Sequence, residues 1–440
     1  MTHRTALNGA LGLVLTLALL GPVGASPVTD GPEELYRLID ARLELMDEVA
    51  AFKWQSGLPV EDREREAVVL EQAVTDALHF GFTPETSRAF FEAQIEAAKS
   101  IQRHWLERWQ AGEEPPQAAD LNEAIRPELS RLGSRIIAAA ASAGAVDRER
   151  FEAAVAVTGL DPGAREQVFA ALEGLKRFEH RLQQILETRV LRVGTTGDYA
   201  PFSHRGDATE TPRGIDIDLA RRLADALEVD VAFVETSWPT LLDDLAAGRF
   251  DIAMSGVSRT LDRQRVGYLS VPYYVGGKTA IARCGEAARF GSLEGIDRPA
   301  VRVIVNPGGT NEAFVDAHLH RARKVLHQDN RTIFDALAAG AADVMITDRV
   351  EVELQTARNP ELCAAAPENF TYQEKAYLMP QDTPWKEFVN TWLELAIADG
   401  TVAAVFRDHG VEPRLPDSAR PDSARPDAAR PDAARRTAPQ

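Results

Sequence analysis

The stretch Ala342-Asp-Val-Met-Ile-Thr-Asp-Arg-Val-Glu351 shows how the C-terminal half of the chain is organised. Its mostly apolar start, Ala342–Ile346, predicts a short buried strand. Asp348 and Glu351 follow where that strand would end. Because ligands of open α/β sheets bind beyond the carboxyl ends of the strands, the stretch predicts a ligand site that contains acidic side chains.

The same alternation of strand and helix patterns runs through residues 190–346. One set consists of strands at Val190–Gly194, Val229–Val234 and Phe250–Met254 with helices at Ile215–Leu227 and Trp238–Ala247. A second set consists of strands at Ala300–Val305 and Ala342–Ile346 with a helix at Ile333–Ala339. This alternation predicts an α/β domain with largely parallel sheets, divided into two lobes.

The N-terminal half has a different period. Residues 31–187 carry no convincing strand pattern, and the spacing of their apolar residues predicts an all-α domain. The expected helices are one that ends near Trp54, one from Asp62 to about His79, one from Thr83 past Trp109, one from Asp120 to about Ala143, and two more, the last at Gly163–Glu187. The fold class is therefore multidomain, with a helical domain before a two-lobed α/β domain.

Charge and the N-terminal sequence limit the partners and the compartment. The chain has 440 residues, 45% of them apolar, and a net charge of −18, which argues against nucleic acid and anionic membranes. His3 and Arg4 precede an apolar run, Leu11–Leu20, and small residues precede Ser26, as in a secretory signal peptide over residues 1–25. A membrane anchor is the alternative, but the run is short for a bilayer span. We expect a periplasmic protein with no membrane partner after cleavage.

The cysteines and the C-terminal repeat carry weaker signals. Cys284 and Cys363 could pair in an oxidising compartment, and two free buried thiols are the alternative. After Arg414 the chain repeats Pro-Asp-Ser-Ala-Arg and Pro-Asp-Ala-Ala-Arg, with almost no large apolar residue. This composition predicts a disordered tail over residues 413–440.

Several side chains of the α/β half suit an anionic ligand. Arg263 can form a bidentate bond to a carboxylate. Gly309 and Thr310 open a helix after a strand, where free N–H groups and the helix dipole favour an anion. Tyr199 would flank the ligand, with ordinary packing as the alternative. Glu351 is an additional acid that could act as a proton donor in the cleft, and the alternative is that it is a solvent-facing helix residue.

The stretch from about Leu182 to Gly410 resembles periplasmic cyclohexadienyl dehydratase, an arogenate or prephenate dehydratase with the periplasmic binding protein fold. The motifs that carry the resemblance are Thr195-Thr-Gly-Asp-Tyr199, Thr236-Ser-Trp-Pro239, Phe250-Asp-Ile-Ala-Met-Ser-Gly256, Gly277-Lys-Thr279, Ile304-Val-Asn-Pro-Gly-Gly-Thr-Asn-Glu312, Thr347-Asp348 with Glu351, Pro360-Glu-Leu-Cys363 and Glu374-Lys-Ala-Tyr-Leu378. The resemblance implies that prephenate loses its ring hydroxyl and a carboxylate to give phenylpyruvate, and that arogenate gives phenylalanine in the same way.

The resemblance also implies roles for individual residues, with no metal or cofactor. Glu351 would donate a proton to the leaving hydroxyl, from a pKa raised by burial. Asn306 would support the reacting face with Lys278 near it, and Asp348 would suit the amino group of arogenate. The remaining substrate contacts are assigned to Tyr199, Trp238, Ser255, Ser258, Arg263, Gly309 and Thr310. Cys284 and Cys363 match cysteine positions of the family.

Cations on separate helical segments characterise the N-terminal half. Arg42, Lys53, Arg65 and Arg126 could converge inside a bundle, and surface charge is the alternative for any one of them. The segments Asp40-Ala-Arg-Leu43, Val49-Ala-Ala-Phe-Lys-Trp54, Leu58-Pro-Val-Glu-Asp62, Phe90-Phe-Glu-Ala-Gln-Ile-Glu-Ala97 and Ile125-Arg-Pro127 resemble the secreted, all-helical type of chorismate mutase.

This second resemblance implies the pericyclic rearrangement of chorismate to prephenate, which needs no nucleophile, metal or cofactor. The enzyme holds two carboxylates so that the reacting carbons meet, and it stabilises charge on the breaking ether oxygen. The implied roles are carboxylate binding by Arg42, Arg65 and Arg126, and stabilisation of the ether oxygen by Lys53 and Gln102. Val69 and Ala98 depart from the family pattern, which puts affinity in doubt more than activity.

Together the two resemblances imply an exported bifunctional enzyme that takes chorismate, prephenate and arogenate as substrates. The expected domains are a signal peptide over 1–25, a helical domain over 26–180, a dehydratase domain over 181–412 with its second lobe at about 283–371, and the tail over 413–440. Two alternatives stay open: an amino-acid-binding receptor of a transporter, and a dehydratase whose helical domain is an inactive interaction element. Relatives of the helical domain also suggest a homo-oligomer.

Overall fold

The computed structural model describes residues 31–206 and 210–416. The expected signal peptide lies outside the described residues, and so does the expected tail from residue 417 onward. Backbone contacts divide the chain into two compact units. One unit holds the residues up to Glu61 together with Glu96–Phe169, and the other holds Asp62–Ile95 together with the chain from Ala170 onward.

Helices make up the chain before the first strand. They are α1 (Pro32–Glu44), α2 (Met46–Ser56), α3 (Arg63–His79), α4 (Pro84–Gln110), a π-helical turn (Leu121–Ile125), α5 (Arg126–Ser142), α6 (Arg148–Ala154), α7 (Pro162–Glu173) and α8 (Arg181–Thr188). Two predicted starts are confirmed by capping, because the side chain of Asp62 accepts from the Arg65 amide and that of Asp120 accepts from the amides of Asn122 and Glu123. Along the described ranges, no helix combines the length and apolar character that crossing a membrane requires.

The predicted last helix, Gly163–Glu187, was wrong in its middle. Helix α7 ends at Glu173, and residues 176–178 are extended instead. The Lys176 carbonyl accepts from the Thr83 amide at 2.9 Å, and the Phe178 amide donates to the Gly81 carbonyl at 2.9 Å. The segment pairs with the turn between α3 and α4, so its backbone groups are not free to continue a helix.

A small aromatic core holds the helices of the first unit together. Trp109 of α4 packs against Ala50 and Ala51 of α2. Phe151 of α6 stacks edge-on against Tyr36 of α1 at 5.4 Å between ring centroids. These contacts place helices that are distant in sequence side by side, and burial of the apolar surface stabilises that arrangement.

From residue 190 onward strands and helices alternate, as predicted. The strands are β1 (Val190–Thr195), β2 (Asp198–Tyr199), β3 (Ser203–His204), β4 (Asp230–Glu235), β5 (Ile252–Ala253), β6 (Tyr268–Leu269), β7 (Tyr274–Gly276), β8 (Lys278–Arg283), β9 (Arg302–Val305), β10 (Arg323–Leu326), β11 (Val344–Asp348), β12 (Leu362–Ala364), β13 (Gln373–Lys375) and β14 (Leu378–Met379). The helices are α9 (Ile215–Leu227), α10 (Leu241–Ala246), α11 (Leu261–Val266), α12 (Leu293–Ile296), α13 (Thr310–His318), α14 (Ile333–Ala338), α15 (Arg349–Arg358), α16 (Thr383–Ala398) and α17 (Thr401–Asp408).

Each lobe contains one five-stranded sheet, and two further sheets have two strands each, β2-β3 and β7-β13. The first has the order β4-β1-β5-β14-β6, and the second has the order β10-β9-β11-β8-β12. Pairings among β4, β1 and β5, and among β10, β9 and β11, are parallel. Those that involve β14, β8 or β12 are antiparallel, so the prediction of largely parallel sheets was wrong for one side of each sheet. The mixed α/β architecture is nevertheless the predicted one.

The chain crosses between the lobes twice. Strand β7 leads out of the first lobe and β13 leads back, and the two pair in antiparallel fashion. Lys278 opens β8 directly after the first crossing, and Lys375 ends β13 at the second. The second sheet therefore begins at Lys278, and both lysines lie at the junction of the lobes.

A disulfide joins Cys284, directly after β8, to Cys363 in the middle of β12. The bridge closes a loop with a sequence separation of 79 residues. Closing a loop of this length restricts the unfolded chain and thereby favours the folded state. The constraint lies within the second lobe and leaves the two crossings free.

We expect the Cys284→Ala/Cys363→Ala variant to lose about 2–4 kcal/mol of unfolding free energy, because its unfolded chain is no longer constrained. Urea unfolding followed by circular dichroism measures the loss. Wild-type protein in reductant should behave like the variant, and the variant itself should not respond to reductant. An unchanged unfolding midpoint in both would contradict the expectation.

Candidate active sites

A cleft of about 320 Å³, partly open to solvent, lies between the two lobes. It is lined by Tyr199, Trp238, Gly256, Ser258, Arg263, Lys278, Asn306, Gly309, Thr310, Asn311, Asn330, Asp348, Glu351 and Lys375. The structure thus brings together every side chain predicted for this site except Ser255. That residue is buried behind the cleft wall, where its hydroxyl bonds to those of Ser203 at 2.6 Å and Thr196 at 2.9 Å.

Arg263 supplies a fixed positive charge on the first-lobe side. Thr260 caps the helix that carries it, and the guanidinium donates to the Ser258 carbonyl at 2.7 Å. The same guanidinium lies 5.8 Å from the ring centroid of Trp238. Burial lowers the pKa of Arg263 to about 10, so the side chain stays charged at neutral pH and can bind a carboxylate.

The start of α13 forms part of the opposite wall. Gly309 is the residue before the helix, and Thr310 is its first residue. Gly308 adopts a left-handed conformation with φ of 76°, and a Cβ there would come within 2.7 Å of the Pro239 nitrogen. The glycine therefore permits the close approach that presents the first helical N–H groups to the cleft.

Glu351 lies in the first turn of α15, with only 3% of its surface exposed. Its carboxyl group accepts a hydrogen bond from the Thr347 hydroxyl. Burial raises the pKa of Glu351 to about 8, and the adjacent charge of Asp348 adds to the shift. At neutral pH the group is therefore mostly protonated and can act as a proton donor.

Asp348 is engaged by two lysines. Its oxygens lie 2.8 Å from the Lys278 Nζ and 2.6 Å from the Lys375 Nζ, and the Tyr199 hydroxyl also donates to it. Burial by itself would raise the pKa of Asp348, but the two positive charges lower it well below its usual range. The predicted ammonium-binding acid is thus ionised and already paired.

Sequence reasoning missed Lys375 as a site residue. The side chain is 3% exposed, and its Nζ donates to the Ser258 hydroxyl at 3.0 Å and lies 4.9 Å from the ring centroid of Tyr199. A lysine directly before the apolar run Ala376-Tyr-Leu-Met379 was the available signal, since lysine is seldom buried without a partner.

The wall behind Gly256 is held by a buried acid. Asp216 of α9 accepts from the Gly256 amide at 2.5 Å and from the Tyr273 hydroxyl at 2.8 Å. Burial raises the pKa of Asp216 to about 7. These bonds fix the loop that leads to Ser258, and through it the position of Arg263.

Two buried polar side chains mark the candidate site of the helical half. Arg42, at the end of α1, is 8% exposed, and burial lowers its pKa to about 10, which leaves it charged. The amide of Gln102 on α4 donates to the Ala98 carbonyl at 3.3 Å. Among the described residues, the Arg42 Nη1 and the Gln102 Oε1 have no hydrogen-bond partner. Unsatisfied buried groups of this kind fit a polar ligand.

The other predicted residues of this half lie on neighbouring elements. The Lys53 Nζ on α2 donates to the Val60 carbonyl at 2.6 Å. Arg126 begins α5 and hydrogen-bonds to Asn122, in the π-helical turn that contacts α2. Arg65, on α3, is half-buried and belongs to the other compact unit. The helices that carry Arg42, Lys53 and Arg126 therefore lie in the same compact unit as Gln102.

A two-lobed α/β fold with a polar cleft at the interlobe crossings defines the class of solute-binding proteins. The chain matches the model for bacterial extracellular solute-binding proteins, family 3, over residues 191–411, and the model for chorismate mutase type II over residues 33–103. A cyclohexadienyl dehydratase of Pseudomonas aeruginosa is 49% identical over 247 residues, which are 56% of this chain and 91% of that protein.

The helical half has relatives of its own. The secreted chorismate mutase of Mycobacterium tuberculosis is 33% identical over 134 residues, which are 29% of this chain and 67% of that protein.

Among solved structures, an ancestral amino acid-binding protein described as a precursor of cyclohexadienyl dehydratase is 32% identical, covering 52% of this chain and 98% of that one, with a TM-score of 0.49.

The chain therefore belongs to family 3 of the bacterial extracellular solute-binding proteins, and within it to the cyclohexadienyl dehydratases, with a chorismate mutase of the secreted type in its N-terminal half. The dehydratase relationship covers the lobes and the cleft, and the mutase relationship covers the helices that carry the buried Arg42 and Gln102.

Glu351 should make the stability of the protein depend on pH. Its ordinary pKa of 4.5 holds in the unfolded chain, and the folded value is about 8. Below the lower value the group is protonated in both states, so its contribution to stability is fully present; as the pH rises toward the higher value, the unfolded state ionises first and that contribution is lost. We expect the free energy of unfolding of Glu351→Gln to rise by roughly 2–4 kcal/mol relative to that of wild type as the pH is raised from about 5 to about 8.

Urea unfolding of wild type and Glu351→Gln at about pH 5 and about pH 8 measures the difference in unfolding free energy. Glu361→Gln, on an exposed side chain of the same lobe, is the matched control and should follow wild type. A difference between Glu351→Gln and wild type that stays constant with pH would show that Glu351 is ionised in the folded protein.

Proposed function

We propose that the chain is an exported enzyme that rearranges chorismate to prephenate in its helical half and converts prephenate to phenylpyruvate in its α/β half. Arogenate would give phenylalanine in the same cleft. The observation that carries the proposal is Glu351, a buried neutral acid in a cleft lined by cations. A solute receptor has no need for a proton donor there. Relatives named as extracellular and secreted support export, and we place the enzyme in the periplasm.

In the dehydratase step the cleft provides charge and one proton. Arg263, the first amides of α13 and the two lysines hold the carboxylates of prephenate. Glu351 gives its proton to the ring hydroxyl, which leaves as water. The bond to the ring carboxylate breaks, CO2 departs, and the electron pair of that bond completes the aromatic ring. Glu351 is left as a carboxylate and takes a proton from solvent before the next cycle.

In the mutase step no bond to the protein forms. Arg42 and Arg126 bind the two carboxylates of chorismate so that the carbons that will join lie in contact. Lys53 and Gln102 donate to the ether oxygen, on which negative charge develops as its bond to carbon breaks. Gln102 is neutral at every accessible pH, so this donor does not require acidic conditions.

Chorismate supplied alone tests both halves in one vessel. Wild type should release phenylpyruvate, and Glu351→Gln should accumulate prephenate with its dehydration slowed by about 100-fold or more, because the proton donor is gone. Chorismate, prephenate and phenylpyruvate are measured by ultraviolet absorbance and chromatography. Tight binding of an amino acid without turnover of any substrate would instead favour a receptor.

A variant in the helical half tests the mutase step separately from the dehydratase step. Lys53→Met should slow chorismate loss by about 100-fold, because the ether oxygen loses a cationic donor, while added prephenate is consumed at the wild-type rate. Lys176→Met, on an exposed side chain, is the control. If wild type and Lys53→Met leave chorismate equally untouched but consume prephenate, the helical half is an inactive interaction element.

A further inference from the structure

A second cavity, of about 580 Å³ and partly open to solvent, lies within the compact unit that residues 62–95 form with the α/β half. It shares no lining residue with the interlobe cleft, and we call it the second pocket. One part of its wall comes from the end of α3 and from residues 177–181, and the other part comes from α10, α11 and residues 380–381. Its volume is within the range of small-molecule sites.

The charged lining of the second pocket is basic throughout. His79, Arg177 and Arg181 contribute to its wall, and none of the described lining residues is acidic. The chain as a whole has 67 aspartates and glutamates against 49 lysines and arginines. A concave surface with only basic groups departs from that composition and favours an anionic ligand.

Arg181 is held in place by residues that do not line the pocket. Its amide donates to Asp382 at 2.6 Å, and its Nη1 donates to Gln184 at 2.8 Å and lies 3.2 Å from the buried Asp251. Asp251 also contacts the Arg192 Nη2 at 2.6 Å, so one carboxylate is shared by two guanidinium groups. Within the described part of the chain, the side-chain bonds of Arg181 all use Nη1, and the N–H groups of Nε and Nη2 remain for a ligand.

His79 offers a further donor at the end of α3. Burial is the main cause of its lowered pKa, so the imidazole is neutral at pH 7. Over residues 31–206 and 210–416 the ring makes no hydrogen bond. A neutral imidazole has one N–H group, which can donate to a carboxylate oxygen beside Arg181.

Apolar side chains complete the wall. They are Phe80, Leu245, Ala246, Val266 and Pro380. Leu245 is 4% exposed, whereas Val266 is 41% exposed and presents apolar surface that a ligand can cover. Covering such surface stabilises a complex in proportion to the area removed from water.

The combination of basic and apolar walls decides the class of ligand. An inorganic anion would leave the surface of Val266 in water. An uncharged apolar compound would cover the N–H groups of Arg181 and His79 without pairing them, which is unfavourable. A compound with one carboxylate and an apolar body satisfies both walls.

We propose that the second pocket binds a small carboxylate with an aromatic or branched apolar body. Arg181, Arg177 and His79 hold the carboxylate, and the apolar body lies against Leu245 and Val266. The inference goes beyond the proposed function, because neither reaction uses this site.

Isothermal titration with 3-phenylpropionate tests the site in Arg263→Met, in which the cleft has lost its carboxylate contact. We expect one molecule to bind per chain. Acetate lacks the apolar body and 3-phenylpropanol lacks the charge, so each should bind at least about 10-fold more weakly. Acetate that binds as tightly would show an adventitious ion only, and 3-phenylpropanol that binds as tightly would show an apolar pocket; either result overturns the proposal.

A pair of variants on α11 locates the bound compound. Val266→Glu, made in Arg263→Met, places a negative charge on the apolar wall and should weaken binding of 3-phenylpropionate at least about 10-fold. Leu261→Glu makes the same change on the same helix at a side chain that is 79% exposed and outside the pocket, so it should bind as Arg263→Met does. Equal binding by the two variants, or no binding by Arg263→Met, would overturn the proposal.

A comparison in the wild-type background covers the case in which Arg263→Met does not fold. There Val266→Glu should reduce the bound 3-phenylpropionate by one molecule per chain, and Leu261→Glu should not. Equal amounts bound by the two would again overturn the proposal. None of these measurements requires turnover, so their result is independent of whether the chain converts chorismate or prephenate.

Discussion

The buried contact between Asp348 and its two lysines is the interaction on which the organisation of the α/β half depends. Asp348 ends the central strand of the second sheet, Lys278 opens the neighbouring strand, and Lys375 lies on the strand that returns to the first lobe. Tyr199 adds a first-lobe contact to the same carboxylate. One group of charges thus connects both lobes and one of the crossings, and removing any member leaves an uncompensated charge in the interior.

The protonation of Glu351 follows from the same arrangement. Its carboxyl group lies in the first turn after Asp348, and Asp348 already takes the nearest positive charges. A second ionised carboxylate would find little compensation there, so burial and the neighbouring negative charge favour the neutral form. The acid is therefore available as a proton donor because its neighbour is so strongly ionised.

Local signals in the sequence predicted most helices and strands correctly. Features that depend on pairing between distant residues could not be predicted from it. The bounds of Ile215–Leu227 and the caps at Asp62 and Asp120 depend on nearby residues and were correct. The break after Glu173 depends on backbone bonds to residues about 90 positions earlier, which no periodicity reveals. In the cleft, the motifs identified most lining residues. Lys375 carried only the weak local signal of a lysine before an apolar run, and its place in the site depends on its distant partners Ser258 and Asp348.

The hairpin of α3 and the start of α4 contacts the α/β half and forms one compact unit with it. The Gln184 side chain donates to the Leu78 carbonyl at 2.7 Å, and a Cβ at Gly248 would come within 2.1 Å of the His79 carbonyl oxygen. Gly248 is buried at this contact, and His79 is partly buried. The boundary between the two sequence families and the boundary between the two compact units consequently do not coincide: a cut near residue 180 would separate residues 62–95 from the compact unit that they form with the α/β half.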